Sequence, residues 1–252
     1  MIDKFKNMLL GLQNYSFFIK DVIRGIFRCF RYKEDAMREM YWIGAKAFFV
    51  AMGGGLFVGI ILAIEVGHQL ELFGAKTLIG RTVSLGMIRE IGPIITGLLL
   101  AARTGAKNTS ELGSMQLSEQ IDALRAFGTS PIDRLIVPRV VAAMVMFLPL
   151  TLIADITGIL GGMFITVTTF HIDVSFYWHS ALNALLLKDL FVGFIKPFFF
   201  AFFISTISCY YGIYTTGGTV GLGKNTIKAV VSSSVAVLIV DFVFTKVVWE
   251  VM

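Results

Sequence analysis

Five segments of the chain are apolar over lengths that can cross a membrane. A bilayer whose hydrocarbon core is about 30 Å thick needs roughly 20 helical residues to span it. The five segments are Ile43–Val66, Val83–Ala102, Val140–Thr168, Leu190–Tyr211 and Thr226–Trp249. Hydrophobic residues make up 56% of the 252 positions, which is more than a soluble domain of this length carries. The sequence therefore predicts an all-α integral membrane protein with five transmembrane helices.

The residues before the first span have the pattern of a basic amphipathic helix. Between Phe17 and Tyr32, apolar residues recur at helical spacing and basic residues occupy the opposite side. The apolar set is Ile19, Val22, Ile23, Ile26, Phe27 and Phe30, and the basic set is Lys20, Arg24, Arg28 and Arg31. Such a helix is expected to lie in the plane of the membrane interface, although an ordinary soluble helix is the alternative. We divide the chain into an N-terminal interfacial region, residues 1–42, and a five-span domain, residues 43–252.

The distribution of Lys and Arg predicts the orientation in the membrane. The second connection carries five basic residues, Arg103, Lys107, Arg125, Arg134 and Arg139, whereas the other connections carry one or two each. By the positive-inside rule, the N-terminus and the second connection are cytoplasmic and the C-terminus is extracytoplasmic. A basic N-terminal region beside membrane spans favours attraction to a membrane surface over binding to nucleic acid.

Several charged residues fall inside the apolar segments: Glu65, Arg89, Glu90, Asp155, Lys196 and Asp241. Each costs at least about 2.5–3.5 kcal/mol near the bilayer centre, so such groups face a cavity or a partner. Neighbours on a helix project about 100° apart, so Arg89 and Glu90 need not pair with each other and can contact two neighbouring helices. Lys196 would suit an anionic head group. Internal ion pairs that hold the helices together are the alternative.

Glycines cluster in the first and third spans, at Gly53–Gly55 and Gly59, and at Gly158, Gly161 and Gly162. Small residues at such spacing allow two helix backbones to approach closely. A flexible kink in each helix is the other interpretation of the same pattern.

No catalytic or metal-binding motif is recognisable. Cys29 and Cys209 are isolated, and the three histidines lack the spacing of a metal-binding pair. The segment Gly218–Asn225 differs by one residue from the phosphate-binding loop, because Asn225 stands where that loop needs Ser or Thr. We interpret it as a glycine-rich turn between the last two spans. The chain is thus expected to bind no metal or cofactor and to have no ATPase activity of its own.

The connection between the second and third spans predicts a short amphipathic helix. Ile121, Leu124 and Phe127 recur at helical spacing, and Gly128 is a suitable stop. The charged residues Glu119, Asp122 and Arg125 are interleaved with them. A helix of this kind can dock into the groove of a soluble partner, and lying passively on the membrane is the alternative.

An ordered series of short motifs runs through the chain: Arg89–Pro93, Ala101–Ala106, Glu111–Met115, Glu119–Leu124, Pro138–Arg139, Lys196–Ala201, Tyr211–Gly212 and Ser233–Val243. This series resembles the MlaE/YrbE family, the permease subunits of ABC transporters that work with MCE-domain proteins. The resemblance covers nearly the whole chain after about residue 40. Lys107–Ser110 departs from it, because the family usually carries small apolar residues there.

The resemblance implies a homodimer in the inner membrane, with a cytoplasmic coupling helix between spans 2 and 3. It also implies a separate cytoplasmic ABC ATPase that uses ATP and Mg, an extracytoplasmic MCE-domain protein and a phospholipid-type substrate, and it allows for a small STAS-domain protein. By this resemblance Arg89, Glu90 and Lys196 lie near the lipid cavity, with Leu70 and Phe73 as weaker candidates for its wall. The implied ATPase-coupling residues are Glu111, Met115, Glu119, Gln120, Ile121, Asp122 and Leu124.

Two other classes of function remain open. An intramembrane enzyme would use carboxylates such as Glu65, Glu90, Asp155 or Asp241, but their scatter over four spans has no acid–base spacing. A proton-coupled carrier would use the same carboxylates, although the five spans have no obvious internal repeat.

Overall fold

The computed structural model describes residues 2–251, and it describes their side chains apart from those of residues 2–9, 12, 30, 31, 249 and 251. Phe30 and Arg31 of the predicted amphipathic pattern therefore lie outside the described side chains. The chain is 92% helical, and no described residue belongs to a strand. The predicted all-α class is confirmed.

Ten α-helices follow one another along the described chain, joined by short 3₁₀ and π segments. They are α1 Ile2–Ile26, α2 Lys33–Leu72, α3 Ile79–Gly86, α4 Gly92–Leu100, α5 Ala106–Leu117, α6 Gln120–Ala126, α7 Val137–Phe170, α8 Val174–Ala184, α9 Leu187–Ile213 and α10 Gly218–Val251. The 3₁₀ segments are Cys29–Tyr32 and Lys76–Leu78, and the π segments are Met87–Ile91, Ala101–Gly105 and Ile132–Ile136.

Five helical stretches are long and apolar enough to cross a membrane, as predicted. They are Lys33–Leu72, Lys76–Leu117, Ile132–Phe170, Leu187–Ile213 and Gly218–Val248. The first and second extend well beyond the predicted segments because hydropathy marks only the apolar middle of a helix. Their polar ends continue the same backbone hydrogen bonding, so α2 alone has 40 residues and a length of about 60 Å.

The chain forms two compact units, and several long helices contribute to both. Unit 1 consists of Met1–Ile43, Ala101–Ala143 and Phe202–Ser234, and unit 2 consists of Gly44–Leu100, Met144–Ala201 and Val235–Met252. The predicted boundary between residues 42 and 43 lies inside α2, and the division into an interfacial region and a five-span domain stays a prediction.

Helix α1 begins earlier than the predicted Phe17, and its buried face overlaps the predicted one only in part. Among its described side chains, Phe18, Val22 and Gly25 are buried, and of these Val22 belongs to the predicted apolar face, whereas Ile23 and Phe27 of that face are exposed. Gly25 determines this face, since a Cβ there would lie 2.5 Å from a methyl group of Val137. The α-helix also ends at Ile26, so Phe27 no longer follows its period.

The same face of α1 is fixed by Tyr15. Its hydroxyl lies 2.8 Å from that of Thr206, within unit 1, and its ring meets that of Tyr210 edge to face. Burial raises the pKa of Tyr15 to about 12, and the hydrogen bond to Thr206 opposes that shift. The phenol therefore stays neutral at physiological pH.

The clustered glycines of α2 and α7 bring the two backbones into contact inside unit 2. A Cβ on Gly59 would overlap the Gly158 carbonyl group, and one on Gly55 would overlap that of Ala154. This confirms close packing through small residues rather than a kink.

Two of the π segments have a cause in the sequence. Proline has no N–H, so Pro93 cannot donate to Arg89 and Pro138 cannot donate to Arg134, four residues earlier in each case. The preceding amides donate instead over five residues, from Gly92 to Met87 and from Val137 to Ile132. The first bulge displaces the side chains of Arg89 and Glu90 from α-helical register. Such bulges are frequent at functional sites.

Two connections differ from the sequence interpretation. The third contains helix α8, which was not predicted; the Asp173 carboxylate caps it by accepting from the amides of Ser175 and Phe176. The segment Gly218–Asn225 is not a turn, because α10 begins at Gly218. Gly217 and Gly218 have φ of +84° and +64°, so the chain turns at these two glycines, and the residues that follow are helical.

Candidate functional site

Arg89 and Glu90 contact different partners within unit 2. The Arg89 Nε donates to Asp189 Oδ1 at 2.6 Å, and its Nη2 pairs with the same oxygen. The Glu90 carboxylate lies 2.5 Å from the ammonium of Lys196, on α9, and accepts a hydrogen bond of 3.1 Å from Thr245, on α10. The two adjacent residues thus do not pair with each other: Arg89 contacts α9, and Glu90 contacts α9 and α10.

Lys196 is enclosed behind Glu90. Its side chain is 0% exposed, and its ammonium lies 2.9 Å from Asp241 Oδ1 and donates to Thr245 Oγ1 at 2.9 Å. The ammonium thus hydrogen-bonds to Glu90 and Thr245 and forms ion pairs with Glu90 and Asp241. The Lys196 side chain is fully enclosed, so its predicted place near the lipid cavity lies behind Glu90, and its contact with an anionic head group stays a prediction.

Two cavities open onto the pair. One has a volume of about 140 Å³ and the other about 540 Å³, and Arg89, Glu90 and Thr245 line both. The smaller is completed by Leu186, Lys188, Asp189, Val192 and Val248, and the larger by Leu78, Arg81, Thr82, Leu85 and Gly86. The side chains of Arg89 and Glu90 are 33% and 34% exposed, whereas those of Asp189 and Lys196 are buried. Two accessible charged groups are therefore held by buried counterions.

The other intramembrane candidates lie elsewhere. Leu70 packs on the apolar core of unit 2 around Met87 and Tyr177, Phe73 is exposed beyond the end of α2, and neither lines the two cavities. Glu65 is exposed and accepts from Gln69. Asp155 is buried beside Gly92. Of the four carboxylates considered for an intramembrane enzyme, only Glu90 and Asp241 contact the same residue, which is Lys196.

Unit 1 contains a second charged network, which sequence reasoning missed. Glu39 on α2 pairs with Lys107 at 2.5 Å and with Arg139 at 3.2 Å, and Glu111 pairs with the same two cations at 3.4 and 3.0 Å. The Lys107 ammonium also lies 4.1 Å from the ring centre of Trp42. Acids and bases alternate around this network, which lines a cavity of about 480 Å³. Only the Lys107–Glu111 spacing could have been seen in the sequence.

The departure at Lys107–Ser110 is explained by contacts to α9. Thr109 donates its hydroxyl proton to the Ser208 carbonyl at 2.9 Å, and the Asn108 amide lies 3.5 Å from the Ser208 hydroxyl. Asn108 and Thr109 are both buried, so their polar groups are satisfied inside unit 1.

The predicted coupling residues form two helices rather than one. Glu111 and Met115 belong to α5, while Gln120, Ile121, Asp122 and Leu124 belong to α6. Glu119 joins the helices in a left-handed conformation, with φ of +58°. Gly128, at φ +71°, ends α6 as predicted. The backbone amide of Gly128 donates a hydrogen bond to the Arg125 carbonyl, and that of Thr129 donates to the Leu124 carbonyl.

The apolar residues of α6 and its C-terminal end differ in how far they are buried. Ile121 is completely buried, Leu124 is half-buried, and Phe127 is 84% exposed. Asp122 pairs with Arg125 at 2.7 Å, and Glu119 and Gln120 are exposed. Ile121 therefore anchors the segment to its own chain, whereas Phe127 and the polar residues are exposed.

A five-span helical protein with a charged pair at internal cavities and a polar helical connection has the architecture of a membrane transport permease. The comparison of sequences identifies it further. A model of the family described as Permease MlaE matches residues 36–247, and the chain belongs to that family.

Curated relatives agree with this assignment. A "probable ABC transporter permease protein" of Rickettsia typhi is 36% identical over 215 residues, which is 85% of this chain and 83% of the relative. One of Synechocystis is 35% identical over 83% of this chain and 80% of the relative. The Arabidopsis thaliana protein "TRIGALACTOSYLDIACYLGLYCEROL 1, chloroplastic" is 35% identical over 84% of this chain and 61% of the relative. The chain is thus an ABC transporter permease of the MlaE family.

Proposed function

We propose that the chain moves phospholipid-type lipids between the inner membrane and an extracytoplasmic MCE-domain partner, energised by a separate cytoplasmic ATPase. The observation that carries the substrate class is the 540 Å³ cavity, where Arg89 and Glu90 lie beside Leu78 and beside Leu85 of α3. A guanidinium beside apolar walls suits a molecule with a phosphate at one end and acyl chains at the other.

The name of the Arabidopsis relative supports a lipid substrate. It refers to a diacylglycerol that carries galactose units. Phospholipids share the diacylglycerol portion and differ in the head group. The accessible Arg89 guanidinium favours a phosphate over an uncharged sugar, since charge-assisted hydrogen bonds are about twice as strong as neutral ones.

The energy source is assigned to a partner chain. Relatives are named ABC transporter permeases, and in this chain Asn225 stands where a phosphate-binding loop needs Ser or Thr. ATP and Mg would therefore be bound by the ATPase. Its contact on this chain would be the coupling segment, which we define as α5, α6 and the exposed Phe127.

The remaining assembly follows from the family resemblance and the charge distribution. We place the N-terminus and the connection that contains α6 in the cytoplasm and the C-terminus outside. A homodimer, and in some assemblies a STAS-domain protein, complete the proposal.

Native mass spectrometry of the complex, purified in mild detergent from its own host, tests this function. We expect two copies of the chain, an ATPase, an MCE-domain protein and bound phospholipid. Lipid transfer into vesicles should require ATP. Transfer that persists without the ATPase and follows the proton gradient would instead support a secondary carrier.

A further inference from the structure

A third cavity of unit 2, with a volume of about 300 Å³, is rich in hydrogen-bond donors. Arg81, His179, Ser180 and Asn183 contribute polar side chains, and no carboxylate lines it. Thr77, Leu78, Phe176 and Ala184 complete the lining. A small cavity with a guanidinium, an imidazole and an amide, and without an acid, favours an anion.

The two walls of this cavity are held together by direct contacts. Phe176, His179, Ser180 and Asn183 lie on one face of α8, at spacings of three and four residues. Opposite them, Gly80 allows α3 to approach so closely that a Cβ there would lie 2.7 Å from the Tyr177 carbonyl oxygen. Ser180 donates to the Thr77 carbonyl at 3.0 Å, and Ser84 donates to that of Ala181 at 3.2 Å.

Helix α8 is also anchored at its core side. The Tyr177 hydroxyl donates to the Ile159 carbonyl on α7 at 3.0 Å, and burial raises the pKa of this phenol, so it remains a donor. Together with the Asp173 cap, these bonds fix the face that carries His179 and Asn183. The cavity is therefore preformed, and a ligand would not have to order it.

Arg81 belongs to both this cavity and the 540 Å³ cavity that contains Arg89. Eight residues separate the two arginines, which corresponds to about 12 Å along a helix. Arg89 is neutralised by Asp189, but among the described residues no carboxylate lies within ion-pair distance of Arg81, and its side chain is exposed. Because no carboxylate offsets its charge, Arg81 can interact with an anionic ligand through its full positive charge.

We infer that Arg81, His179 and Asn183 form a second head-group site, which binds the phosphate of a phospholipid as it enters or leaves the cavity of Arg89 and Glu90. This inference rests on the proposed function and extends it. Arg81 would hold the phosphate with charge-assisted hydrogen bonds, with further donors from the α8 face. The acyl chains would extend along Leu78 and Leu85, which line the shared cavity. A phosphate would then pass from the guanidinium of Arg81 to that of Arg89 within the cavity that both arginines line.

The test uses the whole complex and a phospholipid with a photoreactive group in its head group. In the wild-type complex, we expect the label on the peptide that contains α8. Arg81→Gln should reduce that label and slow lipid transfer about 10-fold or more, since a lost charge-assisted hydrogen bond is worth about 1.5–3 kcal/mol. His179→Gln should reduce the label less. Lys246→Gln and His171→Gln are matched controls, since both residues are exposed and line none of the three cavities.

The outcomes separate this inference from the proposed function. A complex that binds no phospholipid, with or without the Arg81 substitution, would overturn both. Normal phospholipid binding and transfer in the R81Q variant, together with no label on α8 in the wild-type complex, would overturn only the second site. Labelling that millimolar inorganic phosphate abolishes, without any transfer defect in R81Q, would assign the cavity to free phosphate and reject the lipid.

Discussion

The ammonium of Lys196 lies 2.5 Å from the carboxylate of Glu90, and the lysine is completely buried while the glutamate remains 34% exposed. The buried cation therefore orients an acid that a ligand can reach. Asp241 lies 2.9 Å from the same ammonium and supplies a second negative charge from α10. Lys196 thus contacts the Glu90 carboxylate from the buried side.

The first prediction concerns the stability of this arrangement. Lys196→Met should lower the free energy of unfolding by about 3–5 kcal/mol, because two carboxylates are left without their buried counterion. Adding Glu90→Gln to Lys196→Met should recover part of the loss by removing one of those charges. Denaturation of the purified protein in detergent, carried out as a double-mutant cycle, measures the coupling. Equal costs of Lys196→Met in both backgrounds would show that the ion pair contributes nothing.

The second prediction concerns the exposed members of the same site. Arg89→Gln and Glu90→Gln should each impair lipid binding while the complex stays assembled, because both side chains line the 540 Å³ cavity. Bound phospholipid per complex, measured by mass spectrometry, is the readout. Glu65→Gln is the control, since that carboxylate is exposed and lines neither cavity of the pair. Loss of assembly in the first two variants would instead indicate internal ion pairs with a purely structural role.

The spans and the end of α6 could be predicted because the information is local. Apolar length identifies a transmembrane helix, and Gly128 ends α6 through its own backbone conformation. The partners of Glu90 could not be found in this way. Lys196 and Thr245 lie 106 and 155 residues away, so no helical or strand period relates them to Glu90. The network of Glu39, Lys107 and Arg139 was missed for the same reason.

Tertiary contacts also decided which face of a helix is buried. Periodicity grouped Ile121 with Phe127 on one apolar side, yet one is buried and the other is exposed. In α1, the side that carries Gly25 packs against Val137, because glycine has no side chain that would prevent the contact, and the apolar period did not mark that side. Hydropathy alone cannot distinguish a residue that packs on its own chain from one that faces lipid or a partner.

The third prediction concerns the glycine contacts between α2 and α7. Gly59→Ala should destabilise the protein by about 1–3 kcal/mol, because its Cβ would overlap the Gly158 carbonyl group. Gly53→Ala is the matched control on the same helix, since nothing lies within 4 Å of a Cβ at that position. It should be neutral or stabilising by up to about 1 kcal/mol through helix propensity. Thermal unfolding in detergent compares the two, and equal effects would rule out close backbone packing.

The fourth prediction separates anchoring from docking in the coupling segment. Phe127→Ser should weaken binding of the ATPase without changing the stability of the chain, because this ring is 84% exposed. Ile121→Ala should instead cost about 2–5 kcal/mol of folding free energy, since its side chain is completely buried.

Co-purification of the ATPase, together with thermal unfolding of the isolated permease, distinguishes these effects. Phe73→Ser is the matched control for Phe127→Ser, because Phe73 is also 84% exposed but follows α2 in the first connection. In the proposed orientation that connection is extracytoplasmic, so the Phe73 variant should retain the ATPase fully. Equal loss of the ATPase from both phenylalanine variants would contradict the orientation, and unchanged ATPase binding in Phe127→Ser would remove Phe127 from the docking surface.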